Sequence, residues 1–201
     1  IAIKLLKILK YPLAAPSANI SSKLSPVNKK HVEEEFGKKI KYVIEGGNSK
    51  IGLESTIINL TARPEILRLG SLEIGKLSKT LNSKLKFKKK SSLKVPGQNS
   101  LHYSPGIPLR MNCKNANSDE AFILVKKRNK DDKNFFYLTT NGNLTEAAKN
   151  LYSTLRTVKK KGYKKIAVEK ISNKGIGLVI NDRLQKAVSY THLTLPTMEL
   201  V

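Results

Sequence analysis

The chain has no tryptophan, one cysteine and two methionines among its 201 residues. Acidic residues are scarce too: 15 Asp and Glu stand against 38 Lys and Arg, for a formal net charge of +23. Each scarcity excludes something. Cys113 stands alone, so no disulfide can form within the chain and no cysteine cluster can hold zinc. It reads as an incidental thiol in a reducing, cytoplasmic setting rather than as a nucleophile. Neither His31 nor His192 has a partner at ligand spacing, so no metal site is expected. No apolar run approaches the roughly 18 residues that span a bilayer, and no membrane partner is expected. The absence of Trp and the 6% aromatic content leave little for base stacking. Arginine is rare as well. Only Arg63, Arg68, Arg110, Arg128, Arg156 and Arg183 can grip a phosphate with a bidentate fork. The other basic residues are lysines spread along the whole chain. They read first as an ordinary surface, although a field of this sign favours polyanions.

What is present is enough for a core: hydrophobic residues make up 39% of the chain. Residues 1–10 place apolar side chains at 1, 3, 5, 6, 8 and 9, which suits a helix end or a buried strand. The first residue is not Met, and the start reads as the middle of a longer protein. Ser25-Pro26 predicts a helix start with Ser25 as N-cap, and Gly37 a C-cap. Strands are predicted over 41–45, 55–60 and 65–69, then a short helix over 72–81. Residues 82–108 have linker composition, with Lys84, Lys86, Lys88, Lys89, Lys90 and Lys94 ahead of Pro96-Gly97 and His102-Tyr103. Strands at 122–125, 135–138 and 165–168 surround an amphipathic helix over 145–160, followed by a short helix over 181–188. Residues 189–201 contain no Lys or Arg and read as a non-native tail.

Two loops carry the chemistry. The first is Ala15-Pro16-Ser17-Ala18-Asn19, followed by Ser25-Pro26. The second is Gly46-Gly47, then Gly52-Leu53-Glu54-Ser55-Thr56 opening onto a strand. Small hydroxyl, amide and glycine residues allow close backbone approach to an oxyanion. By spacing alone the first reads sooner as an ordinary capped turn before a helix, and the second is equally a β-turn into a hairpin. Glu54 reads first as a surface carboxylate, otherwise as a group that orients neighbours or touches a metal ion. Arg68, near a strand end, suits a phosphate or a surface ion pair. His102-Tyr103 suits a lid over a ligand or a linker pinned to a surface. His31 reads as solvent-facing beside Glu33, Glu34 and Glu35.

Taken in order, these motifs resemble the threonylcarbamoyl-AMP synthase family, whose catalytic domain is YrdC-like. The matching residues are Ser17 and Asn19, Ser25-Pro26, Gly46-Gly47, Gly52 to Thr56, Arg68 to Gly70, Pro96-Gly97 and His102 to Pro105. In the small domain they are Ala147 to Arg156 and Gly175 to Leu184. Ser22 stands where the family usually has Gly, and Val27 where it usually has Thr. The resemblance implies an α/β fold in pieces. The C-terminal half of a YrdC-like twisted mixed sheet with helices fills 1–82. A linker with the His-Tyr motif fills 83–111, and a small Rossmann-like α/β domain fills 112–188. It also implies that the front of the catalytic domain, with its Lys-x-Arg motif, is missing and that the fragment is catalytically dead. For the whole enzyme it implies that L-threonine, bicarbonate and ATP give threonylcarbamoyl-AMP and pyrophosphate, with Mg2+ on the phosphates. Asn19, Ser25, Arg68, His102 and Tyr103 would bind ATP; Ser17, Ser55 and Thr56 would bind threonine or the carbamoyl group. The product would pass to a tRNA threonylcarbamoyl transferase complex, with possible tRNA contact. The rival reading is a non-catalytic basic protein that binds RNA or nucleotide on a YrdC-like fold.

Overall fold

The computed structural model describes residues 1–61, 63–87, 95–97 and 102–193, with side chains as far as 188. Two sheets organise it. Strands β1 (Ile57–Asn59), β2 (Glu65–Arg68) and β3 (Lys86–Phe87) form the first, in that order. β1 runs antiparallel to β2, and β3 runs parallel to it, so this sheet is mixed. Strands β4 (Leu109–Cys113), β5 (Glu120–Lys126), β6 (Phe135–Thr139) and β7 (Lys165–Glu169) form the second, in the order β4-β7-β5-β6. Every pairing in it is parallel. Its central strands read as continuous apolar runs, as buried parallel strands do.

Five α-helices lie among the described residues. α1 (Ala2–Ile8) settles the ambiguous start as a helix, and none of its residues is buried. α2 (Lys29–Phe36) begins at Asn28, not at Ser25. The Asn28 side chain accepts from His31 N and caps the helix, whereas the Ser25 hydroxyl donates to Glu54. α3 (Ile74–Thr80) lies inside the predicted 72–81. α4 (Leu144–Lys160) is capped by Asn143, whose side chain accepts from the N–H groups of Thr145 and Glu146. Such a cap contributes about 1 kcal/mol. α5 (Ile176–Leu193) begins five residues before the predicted 181, because Ile176, Val179 and Ile180 extend its apolar stripe. Its backbone continues five residues, 189–193, into the segment expected as a tail; residues 194–201 lie outside the described residues.

Two other expectations are corrected. Residues 41–45 form no strand: Tyr42 is 77% exposed, and nothing pairs with the segment. The stretch expected to be linker holds β3 and the first residues of β4. A two-residue strand carrying Lys leaves no periodic signal. The Lys-rich run from Lys88 to Lys94 falls outside the described residues.

α5 joins the two sheets. Val179 packs with Ile66, Leu69 and Leu85 of the first. Ile180 and Leu184 pack with Ile123, Leu138, Ile166 and Leu151 of the second. Leu24, Val27 and Tyr103 enter that second core from outside its sheet. Each fully buried Leu, Ile or Phe contributes about 1.5–3 kcal/mol, so the N-terminal loops are anchored by the C-terminal core.

Candidate functional site

The centre of the site is Glu54. Its carboxylate accepts from the Ser25 hydroxyl at 2.6 Å, from the Tyr152 hydroxyl at 3.2 and 3.1 Å, and from Arg183 Nε at 2.9 Å. All four contacts bring donors, so the ionised carboxylate is the matching form. Burial pushes the Glu54 carboxyl up, but the Arg183 charge and the Ser25 hydrogen bond outweigh it and hold it below its ordinary value. Glu54 is therefore neither a surface carboxylate nor a free metal ligand.

Arg183 has no exposed side-chain surface. Besides Glu54, it donates to Leu69 O at 2.6 Å and to Asp182 at 2.5 Å. Its guanidinium carbon sits 4.7 Å from the centroid of the Tyr103 ring. Burial alone would lower Arg183, and the oxygens of Tyr152, Tyr103 and Glu54 raise it instead. Tyr103 stacks on Tyr152 with ring centroids 5.8 Å apart and planes 18° apart. It is 1% exposed and adopts a left-handed backbone at φ 59°. Its hydroxyl is buried with no hydrogen-bond partner, and burial pushes its pKa up to about 12.

Arg68 reaches across from the end of β2. Its Nε donates to Ser55 O at 2.9 Å, its Nη2 to Ser55 Oγ at 3.0 Å and its Nη1 to Pro96 O at 3.1 Å. The next carbonyl, Gly97 O, accepts from Lys186 Nζ at 2.8 Å. Ser104 N donates to Ser22 O at 2.9 Å, and Lys23 bridges Ser104. Pro96-Gly97 and Ser104 are thus each held to neighbouring segments. His102 stacks against Tyr103 at 4.1 Å. Burial lowers the His102 imidazole; Glu54 opposes, and Lys186, Arg183 and Arg68 add to the lowering.

The structure therefore brings together Ser25, Ser55, Arg68, His102 and Tyr103. Thr56 follows Ser55, and its hydroxyl is buried without a partner. A cavity of about 170 Å³ lies beside it, lined also by Gly70, Ile74, Gly175 and Val179. Asn19 uses its amide group on Ile20 O and Lys23 O, which leaves Oδ1 buried and unpartnered. Ser17 is exposed on the same loop, away from these contacts. His31, expected at the surface, is buried, and its Nδ1 accepts from Val27 N at 3.3 Å.

Two glycines of the motifs have steric roles. A Cβ on Gly52 would lie 2.5 Å from Lys149 O, so α4 can approach only a glycine there, and φ is +77°. A Cβ on Gly70 would lie 2.1 Å from Thr56 N. Tyr152, Arg183 and Lys186 were not singled out as site residues from sequence. Arg183 did leave a signal: Val179, Ile180, Arg183, Leu184 and Ala187 share one buried helical face. An arginine on such a stripe needs a buried partner.

A family model described as the threonylcarbamoyl-AMP synthase C-terminal domain matches residues 63–189. The chain belongs to this family. A second model, of the Sua5/YciO/YrdC family and described as telomere recombination, matches residues 1–70. Threonylcarbamoyl-AMP synthase of Pyrococcus abyssi is 34% identical over 211 residues, covering 94% of this chain and 62% of the relative. The crystal structure of P. abyssi Sua5 complexed with L-threonine superposes with a TM-score of 0.79 at 32% identity, over 94% of this chain and 62% of that one. A P. abyssi Sua5 in which a consecutive His and Tyr are both replaced by Ala gives 0.74 at 31% identity, over 94% and 60%. The chain thus spans about three-fifths of the length of these relatives. The α/β fold expected from the resemblance agrees with the two sheets and with these neighbours.

Proposed function

We propose that this chain forms one wall of a threonylcarbamoyl-AMP synthase site. The amine of L-threonine and bicarbonate would give a carbamate there, with loss of water. A carbamate oxygen would attack the α-phosphorus of ATP, the bond to the β-phosphate oxygen would break, and pyrophosphate would leave. Such catalysis is mainly positioning and charge stabilisation. The observation that carries the reading is the convergence of Ser25, Glu54, Ser55, Arg68 and Tyr103: Ser25 and Arg183 hydrogen-bond Glu54, Arg68 hydrogen-bonds Ser55, and the Tyr103 ring lies against the Arg183 guanidinium. It gains support from the 34% identity to a protein named for this activity.

In this reading Arg68 faces the phosphates, and an anion would compete with Pro96 O for its Nη1. Ser25 and Asn19 contribute to the nucleotide side. Asn19 presents an acceptor, so it suits a hydroxyl or amine of the ligand. Ser17, Ser55 and Thr56 line the threonine and carbamoyl side. His102-Tyr103 closes over the nucleotide; the paired His and Tyr replaced in the Pyrococcus protein support a role for this pair. Magnesium finds no fit among the described groups here, since Glu54 is already engaged by Arg183, Tyr152 and Ser25. It would arrive on the ATP phosphates. The product would serve threonylcarbamoylation of tRNA adenosine by a partner transferase in the cytoplasm, where the lysine surface offers tRNA a contact.

The test is isothermal titration of ATP, then L-threonine, into the 201-residue chain. Saturable binding of both, with ATP weakened by Arg68→Gln and threonine by Ser55→Ala, is expected. Failure of both ligands to bind overturns the reading. Salt-sensitive RNA binding with no response to either ligand would favour a nucleic-acid module instead.

A further inference from the structure

The C-terminal sheet and its helices contribute none of the groups assigned to substrate. Even so, one of their side chains touches three segments that do. Arg183 binds Glu54 Oε2, which places the Glu54-Ser55-Thr56 turn and, through Oε1, the Ser25 hydroxyl. It binds Leu69 O, the carbonyl next to Arg68. It also lies on the Tyr103 ring, in the His102-Tyr103 segment. Tyr152 repeats two of these contacts, bonding Glu54 and stacking on Tyr103. One turn further along α5, Lys186 takes Gly97 O beside the carbonyl that Arg68 takes.

We propose that Arg183 is a positioning residue for the synthase site, and that the C-terminal segment sets the geometry of the substrate loops from behind through this one guanidinium. The proposal rests on the synthase reading above. The geometry favours positioning over mere cohesion. A cohesive contact needs one partner, whereas the planar fork of Arg183 fixes three otherwise separate backbone segments in one arrangement. A lysine would keep the charge and lose the fork.

The test is titration of magnesium–ATP into the wild-type chain and three variants: Arg183→Met, Arg183→Lys and the double Glu54→Gln/Arg183→Met. The double variant leaves no unpaired buried charge, so it is expected to keep the fold where Arg183→Met alone strands the Glu54 carboxylate. Circular dichroism checks this. ATP binding is expected to weaken at least tenfold in the folded double variant, and Arg183→Lys should fall between it and the wild type. In the NMR spectrum, the Tyr103 ring signals should respond to ATP in the wild type and not in the double variant. Arg110→Met, which breaks a distant pair with Glu120, should bind ATP as the wild type does. Wild-type affinity in the folded double variant overturns the inference and leaves the synthase reading intact. If neither Met variant folds, wild-type affinity in Arg183→Lys overturns it. A wild-type chain that binds no ATP overturns both.

Discussion

Replacing Glu54 by Gln keeps the shape of the side chain and removes its charge. Four contacts converge on that carboxylate, all from donors, at 2.6 to 3.2 Å. A Gln amide accepts at one end only: its Oε1 can stay on Arg183 while its NH2 donates to the Ser25 and Tyr152 hydroxyls, but the charge that balances the guanidinium is gone. Arg183 has no exposed side-chain surface from which to recover hydration. Removing one member of a buried, hydrogen-bonded pair costs about 3–5 kcal/mol, because the other charge stays buried and uncompensated. Exposed pairs on the same chain, such as Lys165 with Asp119, are each worth about 0–1 kcal/mol. A domain holds only about 5–15 kcal/mol in total, so Glu54→Gln should remove roughly a fifth of it or more. Urea unfolding followed by circular dichroism measures the change. The Glu54→Gln/Arg183→Met double variant should lose less than Glu54→Gln alone, since the orphaned charge is gone. A Glu54→Gln loss below about 1 kcal/mol would refute the view of Glu54 as the hub of the site.

Other outcomes follow from the same contacts. Glu54 titrates below its ordinary value in the fold, so its contribution is complete above the unfolded carboxyl value and is lost as pH falls through the lower folded one. Acid unfolding curves should therefore flatten in Glu54→Gln, and an unchanged curve would contradict this. Gly52→Ala should destabilise by roughly 2–4 kcal/mol, since its Cβ meets the backbone of α4 and its φ is +77°; thermal melting reads it. Ser22 sits at φ 68° where the family usually has Gly, so Ser22→Gly should be neutral or gain about 0.5 kcal/mol in the same melts. Tyr103→Phe should change stability by less than about 1 kcal/mol, because the lost hydroxyl has no partner, whereas Tyr103→Ala should cost about 3–5 kcal/mol.

The elements legible from sequence were those with a strong local period. α4, β5, β6 and β7 fell where the apolar spacing put them, because each meets a continuous core. The strand expected over 41–45 failed for the opposite reason. Tyr42 and Ile44 have β-propensity, but no neighbouring strand takes their hydrogen bonds. The ordered motifs announced the family, and Ser25, Ser55, Arg68, His102 and Tyr103 do meet. What the sequence hid is how they meet. Glu54 and Arg183 are 129 positions apart, and no local pattern links a turn carboxylate to an arginine on a distant helix. The reading of Ser25 as a cap was displaced by such a long-range contact, because its hydroxyl had a charged acceptor available.

Among the described residues, the ion pairs that join the N-terminal loops to the C-terminal helices all point one way. Glu34, Glu35 and Glu54 supply the carboxylates; Lys160, Arg156 and Arg183 supply the cations. The joint therefore has a polarity. Two N-terminal faces would oppose carboxylate with carboxylate, and two C-terminal faces would oppose cation with cation. Neither can pair with its own kind through these groups. The N-terminal face of one copy and the C-terminal face of another, however, satisfy each of these pairs as well as a single chain does. The chemistry of this joint permits exchange between copies and forbids symmetric mispairing.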